Sequence, residues 1–279
     1  MKEVFTQILN MSISASFLIL AILLIRLLFK KLPKTYMCFL WLMAAVKLVI
    51  PFSVKTKVGL SPSGRTIPVE SISAGGNLYI KSGYDLVDNR INFMINETIN
   101  MQGTTVRIIG IWEIISIIWF TVVIIMLIYF ALWYVMLKVQ ISDAVLLYDN
   151  IYQSEKVKSP FVLEIIKPKI FVPYNLSDEE LIIDHEKAHI KRFDHLSKPL
   201  SFIILALHFF NPLVWLAYFT FGKDVELACD ENVIGNYDSE KCKRYAYALL
   251  NTSLKGKNAV IYPIGFGEID VKERIKNAV

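Results

Sequence analysis

His185-Glu186-Lys187-Ala188-His189 places two imidazoles four residues apart, with a carboxylate directly after the first. On a helix, residues four apart share a face. His185 and His189 can then hold one metal ion while Glu186 lies beside them, within reach of a water that the metal activates. That arrangement is suited to zinc-assisted hydrolysis. The chain has 4 histidines and two of them fall at this spacing. The bland alternative, a solvated amphipathic helix with scattered charges, leaves the H-E-x-x-H order unexplained.

A hydrolytic zinc site takes a third protein ligand and leaves its fourth position to water. Glu226-Leu227-Ala228-Cys229-Asp230 supplies one, again in a segment that reads as helix. Glu226 and Asp230 are four apart, so one carboxylate can bind the metal while the other accepts a proton from the far ring nitrogen of a ligand histidine. Two acids at helical spacing are most often surface charges. Here they sit among Val225, Leu227, Ala228, Cys229, Val233 and Ile234, which argues for burial. Asp224 and Glu231 compete for the role, but only Glu226 has an acid four residues on. The expected centre is therefore His185, His189 and Glu226 on zinc, Glu186 as general base, and Asp230 and Asp194 supporting the ligands from behind. Spacing does not name the group that stabilises an oxyanion; His195 and nearby tyrosines are candidates. E-x-x-x-D following H-E-x-x-H resembles the ligand helix of the gluzincin proteases.

The remainder of the chain must hold this centre in a membrane. Hydrophobic residues make up 54% of the 279, with a mean hydropathy of +0.46, too apolar for an ordinary soluble domain. Apolar runs over residues 8–29, 37–54 and 108–137 predict three spans. Arg26, Lys30, Lys31 and Lys34 crowd the first connection, which places it in the cytoplasm, the amino terminus and the 55–107 loop outside, and everything after Lys138 inside. The first run carries Arg26 and no small-residue cleavage site, so it reads as a retained span and not as a signal peptide. Residues 199–221 would form a fourth span by composition, but a crossing would part His185 from Glu226 by a bilayer. Asn211-Pro212 supplies a break, because proline lacks the helical N–H and disfavours helix at the residue before it. A re-entrant or interfacial helical hairpin is expected, with His208 as a structural hydrogen-bonding residue.

Ser159-Pro160-Phe161-Val162, then Lys167 to Pro173, His185 to Asp194, His208-Phe209-Phe210-Asn211-Pro212-Leu213-Val214-Trp215 and Glu226 to Asp230, in that order, resemble the BlaR/MecR-type membrane zinc metallopeptidases, the antirepressor family. The resemblance implies an α-helical membrane protein with a cytosolic α+β gluzincin-like protease domain, in a bacterial plasma membrane. It also implies an endopeptidase that cuts a cytosolic repressor, or itself, in transmembrane signalling linked to antibiotic resistance. Glu164 departs from the glycine expected there, which bears on the turn geometry. Antirepressors of the family carry a further span and a penicillin-binding sensor domain after the protease, and this chain stops at Val279. The expected organisation is a transmembrane region over 1–137, a protease domain over 138–258 including the hairpin, and a tail over 259–279. The stretch Tyr262 to Glu268 resembles the family's self-cleavage region.

Two other readings compete. A receptor or scaffold could carry a structural metal, but such a site has no use for the general base Glu186. A membrane quality-control or prenyl-protein peptidase also combines H-E-x-x-H with spans. Lys169 to Val172 reads as a strand on which an extended substrate could pair. The 3 cysteines, Cys38, Cys229 and Cys242, form no disulfide framework and no C-x-x-C pair. Cys229 is expected to pack as a small hydrophobe. The net charge of +5 suits juxtamembrane basic residues against anionic lipid, and no motif for nucleic-acid contact is present. A homodimer is compatible with the sequence.

Overall fold

Continuous apolar runs lack a polar face, so they form helices that can be covered only by lipid or by other helices. The computed structural model describes residues 2–29, 32–50, 109–174, 176, 178–256 and 271–278. The expected external loop and the Tyr262 to Glu268 stretch lie outside the described residues. Helix α1 spans Lys2–Leu28, α2 Lys34–Val49 and α3 Ile109–Gln140. Among the described residues, two helices, α1 and the 112–140 part of α3, are long and apolar enough to cross a membrane. The 16 residues of α2 reach about 24 Å at 1.5 Å per residue, short of the ~30 Å hydrocarbon core. Large side chains such as Leu20, Leu24 and Leu27 on α1 and Ile125, Leu132 and Met136 on α3 face outward.

The apolar 199–221 segment becomes two helices with a turn between them, α5 (Asp194–Leu207) and α6 (Pro212–Ile234). Asn211 caps α6: its Oδ1 accepts from the Leu213 N–H at 2.9 Å, and Pro212 takes the first helical position, where a missing N–H costs nothing. The turn is tied to three helices. Asn211 Nδ2 donates to Ser12 Oγ and Ser16 Oγ of α1, each at 2.8 Å. Trp119 Nε1 of α3 donates to the Leu207 carbonyl at 3.0 Å, and His208 Nε2 donates to the Leu48 carbonyl of α2 at 3.2 Å. Both limbs therefore start and finish at the same end, and a core of Ile19, Ile22, Trp41, Phe202, Leu205 and Tyr218 packs them on α1 and α2.

Beyond α3 the chain forms a small sheet from β1 (Val145–Tyr148), β2 (Ile151–Gln153), β3 (Phe161–Leu163) and β4 (Lys169–Val172), in the order β1-β2-β4-β3. β4 runs parallel to β2 and antiparallel to β3. The expectation that Lys169 to Val172 offers an edge to substrate is thus corrected: its backbone is paired on both sides, which leaves no ladder for a peptide to join. On that side β3 is the outer strand. The turn between β3 and β4 holds Glu164 at φ 79°, the left-handed conformation that glycine adopts without strain. The turn keeps its shape with the wrong residue, helped by Lys169 Nζ, which donates to Glu164 Oε1 at 3.1 Å.

Ile151, Ile170 and Val172 of the sheet pack on Ile183 of α4 (Glu179–Lys191). The opposite flank of α4 joins a second core with α6, α7 (Ser239–Gly256) and α8 (Val271–Ala278), built from Leu181, Cys229, Val233, Tyr245, Leu249 and Ala278. α6 thus runs unbroken from the hairpin into the core beside α4.

Candidate metal centre

Glu179 and Glu180 open α4 in the turn where its dipole favours negative charge. The helix buries His185, Glu186 and His189 along with Leu181, Ile182 and Ile183. Its end is abrupt. Phe193 takes φ 60°, and this reversal swings α5 back so that Asp194 Oδ2 lies 2.8 Å from His189 Nδ1. A carboxylate only accepts, so His189 donates from Nδ1 and turns Nε2 toward the centre.

The far side of His185 is settled by a longer chain of contacts. Tyr245 Oη, fully buried on α7, donates to Asp230 Oδ1 at 2.6 Å and stands 2.8 Å from His185 Nδ1. With its own proton committed to Asp230, Tyr245 can only accept from Nδ1–H, which again leaves Nε2 as the nitrogen that faces the centre. Asp230 is anchored by Arg274 of α8, whose Nε and Nη2 donate to its two oxygens at 2.8 Å each.

The two Nε2 atoms converge. His185 Nε2 and His189 Nε2 are 3.1 Å apart, and the Glu226 carboxylate spans them with Oε2 3.5 Å from the first and Oε1 3.5 Å from the second. Two zinc bonds of about 2.1 Å at a tetrahedral angle separate their ligand atoms by about 3.4 Å. The donor set therefore fits zinc in chemistry and in size. Cys229 offers a second grouping, since its Sγ and the two imidazoles lie within 4.8 Å of one another. That thiol donates to the His185 carbonyl at 3.4 Å, so it packs as expected and also lines the centre.

The charge balance is tight. Burial would raise the Glu226 carboxyl, but Lys198 and His189 outweigh it and hold it well below the usual range. Lys198 Nζ donates to Glu226 Oε1 at 2.9 Å. Burial opposes protonation of His189, yet Cys229, Glu226 and Asp194 prevail over it and over Lys198, lifting the imidazole to about 10 without metal. Burial would raise Cys229, and the two histidines bring it down to about 7.

All six residues expected from the sequence are buried, and contacts join His185, His189, Asp194, Glu226 and Asp230 to one another. Glu186 lies close enough to Lys198 for the two charges to interact. His195 instead pairs with the backbone of Ile165. Sequence reasoning passed over Lys198, Tyr245 and Arg274. A lysine in a helix of the otherwise apolar hairpin was a legible signal for Lys198; no spacing rule singles out Arg274, 48 residues past Glu226.

A family model described as BlaR1 peptidase M56 matches residues 6–278. The chain belongs to that family. It is similar to the methicillin resistance mecR1 protein of Staphylococcus aureus (strain Mu50 / ATCC 700699), 29% identical over 138 residues, or 46% of this chain and 23% of that protein. The regulatory protein BlaR1 of Bacillus licheniformis is 30% identical over 113 residues, 38% of this chain and 19% of that protein. The alignments thus cover less than a quarter of either relative. The M56 match extends over α1, the apolar part of α3, the hairpin and the residues of the candidate centre.

Proposed function

We propose that this protein is a membrane-embedded zinc metalloendopeptidase that cleaves a cytosolic repressor, or its own chain, in antirepressor-type signalling, with the protease domain on the cytoplasmic face. The observation that carries this reading is the convergence of His185 Nε2 and His189 Nε2 on the Glu226 carboxylate. His185, His189 and Glu226 would hold zinc, which supplies Lewis acidity to a water and to the scissile carbonyl when bound. Glu186 takes a proton from the attacking water and returns it to the leaving amine, so that one peptide bond and one water give a carboxylate and an amine. Asp194 and the Asp230–Tyr245 pair keep both imidazoles in the tautomer that presents Nε2. The outer strand β3 is the side on which an extended substrate could add.

Metal content and proteolysis, measured together, test this. Purified protein should hold about one zinc per chain. His185→Ala, His189→Ala and Glu226→Ala should each lose most of it, and Glu186→Gln should keep the metal while losing cleavage of a co-expressed repressor. Cys229→Ala should retain zinc. Loss in Cys229→Ala with retention in Glu226→Ala would move the third ligand to the thiol, and full activity in Glu186→Gln would sink the catalytic assignment.

A further inference from the structure

Arg274 arrives from the short helix α8, held in place by Ile275 and Ala278 against the core that contains Cys229 and Tyr245. Its side chain is 11% exposed. The guanidinium makes the two-pronged contact with Asp230 already described, and its Nη1 lies 3.5 Å from Glu226 Oε2. It also brings Nη2 within 3.2 Å of His185 Nε2. One side chain of α8 therefore touches His185 on α4, Glu226 on α6 and Asp230 behind His185.

We propose that Arg274 is a positioning residue of the peptidase centre: by fixing Asp230 it holds Tyr245 and the Nδ1 side of His185, so that helix α8 is a working part of the metal site. This rests on the zinc peptidase reading above. A buried carboxylate needs a counter-charge to stay ionised and in one rotamer. A planar fork that bonds both oxygens fixes its plane, which a lysine cannot do. With Asp230 fixed, Tyr245 spends its proton there and accepts from His185 Nδ1–H, which sets the plane of the ring and points Nε2 into the centre. Without the fork, Asp230 can turn, Tyr245 is released, and the imidazole loses its orientation.

Zinc affinity, read by competition with a chromophoric chelator on the full chain, tests the idea without using activity. Arg274→Gln should weaken zinc by about 10- to 100-fold, the loss typical of an outer partner of a metal ligand. Arg274→Lys should fall between the two, and the visible spectrum of cobalt bound in place of zinc should change with the glutamine variant. Because the role runs through Asp230, adding Arg274→Gln to Asp230→Asn should cost nothing more; that double variant also removes both buried charges, which protects folding. Wild-type affinity in Arg274→Gln, tighter binding, or a further loss in the Asp230→Asn background would each overturn the proposal. No zinc on the wild-type chain would instead overturn the function reading, and this inference with it.

Discussion

Arg26, in the last turn of α1, donates from Nε to Asp224 Oδ1 at 3.0 Å, joining the end of the first apolar helix to a residue two places before Glu226. Trp41 of α2 donates to Asp224 Oδ2 at 2.9 Å, so one carboxylate gathers α1, α2 and α6. A little further on, the Lys34 N–H of α2 donates to Glu231 Oε2 at 2.7 Å. The apolar helices thus hold the ligand helix on either side of Glu226.

Breaking that pair should be asymmetric. Asp224 is fully buried, whereas Arg26 is 26% exposed and can reach water. Arg26→Ala strands a carboxylate and should cost near the low end of the about 3–5 kcal/mol of a broken buried pair. Asp224→Asn keeps an acceptor for Trp41 and should cost about 1–2 kcal/mol. Thermal unfolding in detergent measures both; an Asp224→Asn loss exceeding that of Arg26→Ala would contradict the burial argument.

Zinc binding should depend on pH beyond the ordinary histidine range. In the metal-free protein, acid neighbours lift His189 to about 10 against the effect of burial, so a proton competes with the metal well past neutrality. The raised value favours the protonated ring, and affinity must fall as pH falls. Titrations between pH 6 and 8.5 should show affinity still climbing at the upper end. A plateau above pH 7 would mean that His189 is already neutral there.

Glu164 sits at φ 79°, which costs a side-chain-bearing residue about 1–2 kcal/mol relative to glycine. Its partner Lys169 is 34% exposed, so the ion pair returns less than about 1 kcal/mol. Glu164→Gly should unfold no earlier than wild type, while Glu164→Val, which is β-branched and unpaired, should unfold several degrees earlier. The reverse order of melting temperatures would show that the ion pair, not the backbone, decides this turn.

Topology has a direct readout. A cysteine at Gly64 should react with an impermeant thiol reagent on intact cells, while one at Glu155 or Asn236, both exposed beyond the apolar helices, should react only after the membrane is opened. Labelling of Glu155 and Asn236 from opposite sides would mean that the α5–α6 hairpin crosses the bilayer, and the shared metal site would be lost.

Local rules were enough to expose the centre's chemistry in the sequence. H-E-x-x-H and E-x-x-x-D are fixed by helical periodicity, which sets which side chains share a face whatever else the chain does. The hairpin was legible for the same reason, since Asn211-Pro212 ends one helix and starts another by backbone chemistry alone. Strand order was not. Pairing between β4 and its neighbours depends on which segments meet in space, and a four-residue strand reads the same at an edge as in the middle. Lys198, Tyr245 and Arg274 were hidden for a related reason: each reaches the site from a separate helix, at a sequence distance that no repeat encodes. Helix periodicity alone set which side chains of α4 and of α6 share a face; only the packing of α5, α7 and α8 against α4 and α6 decided which charged groups surround them.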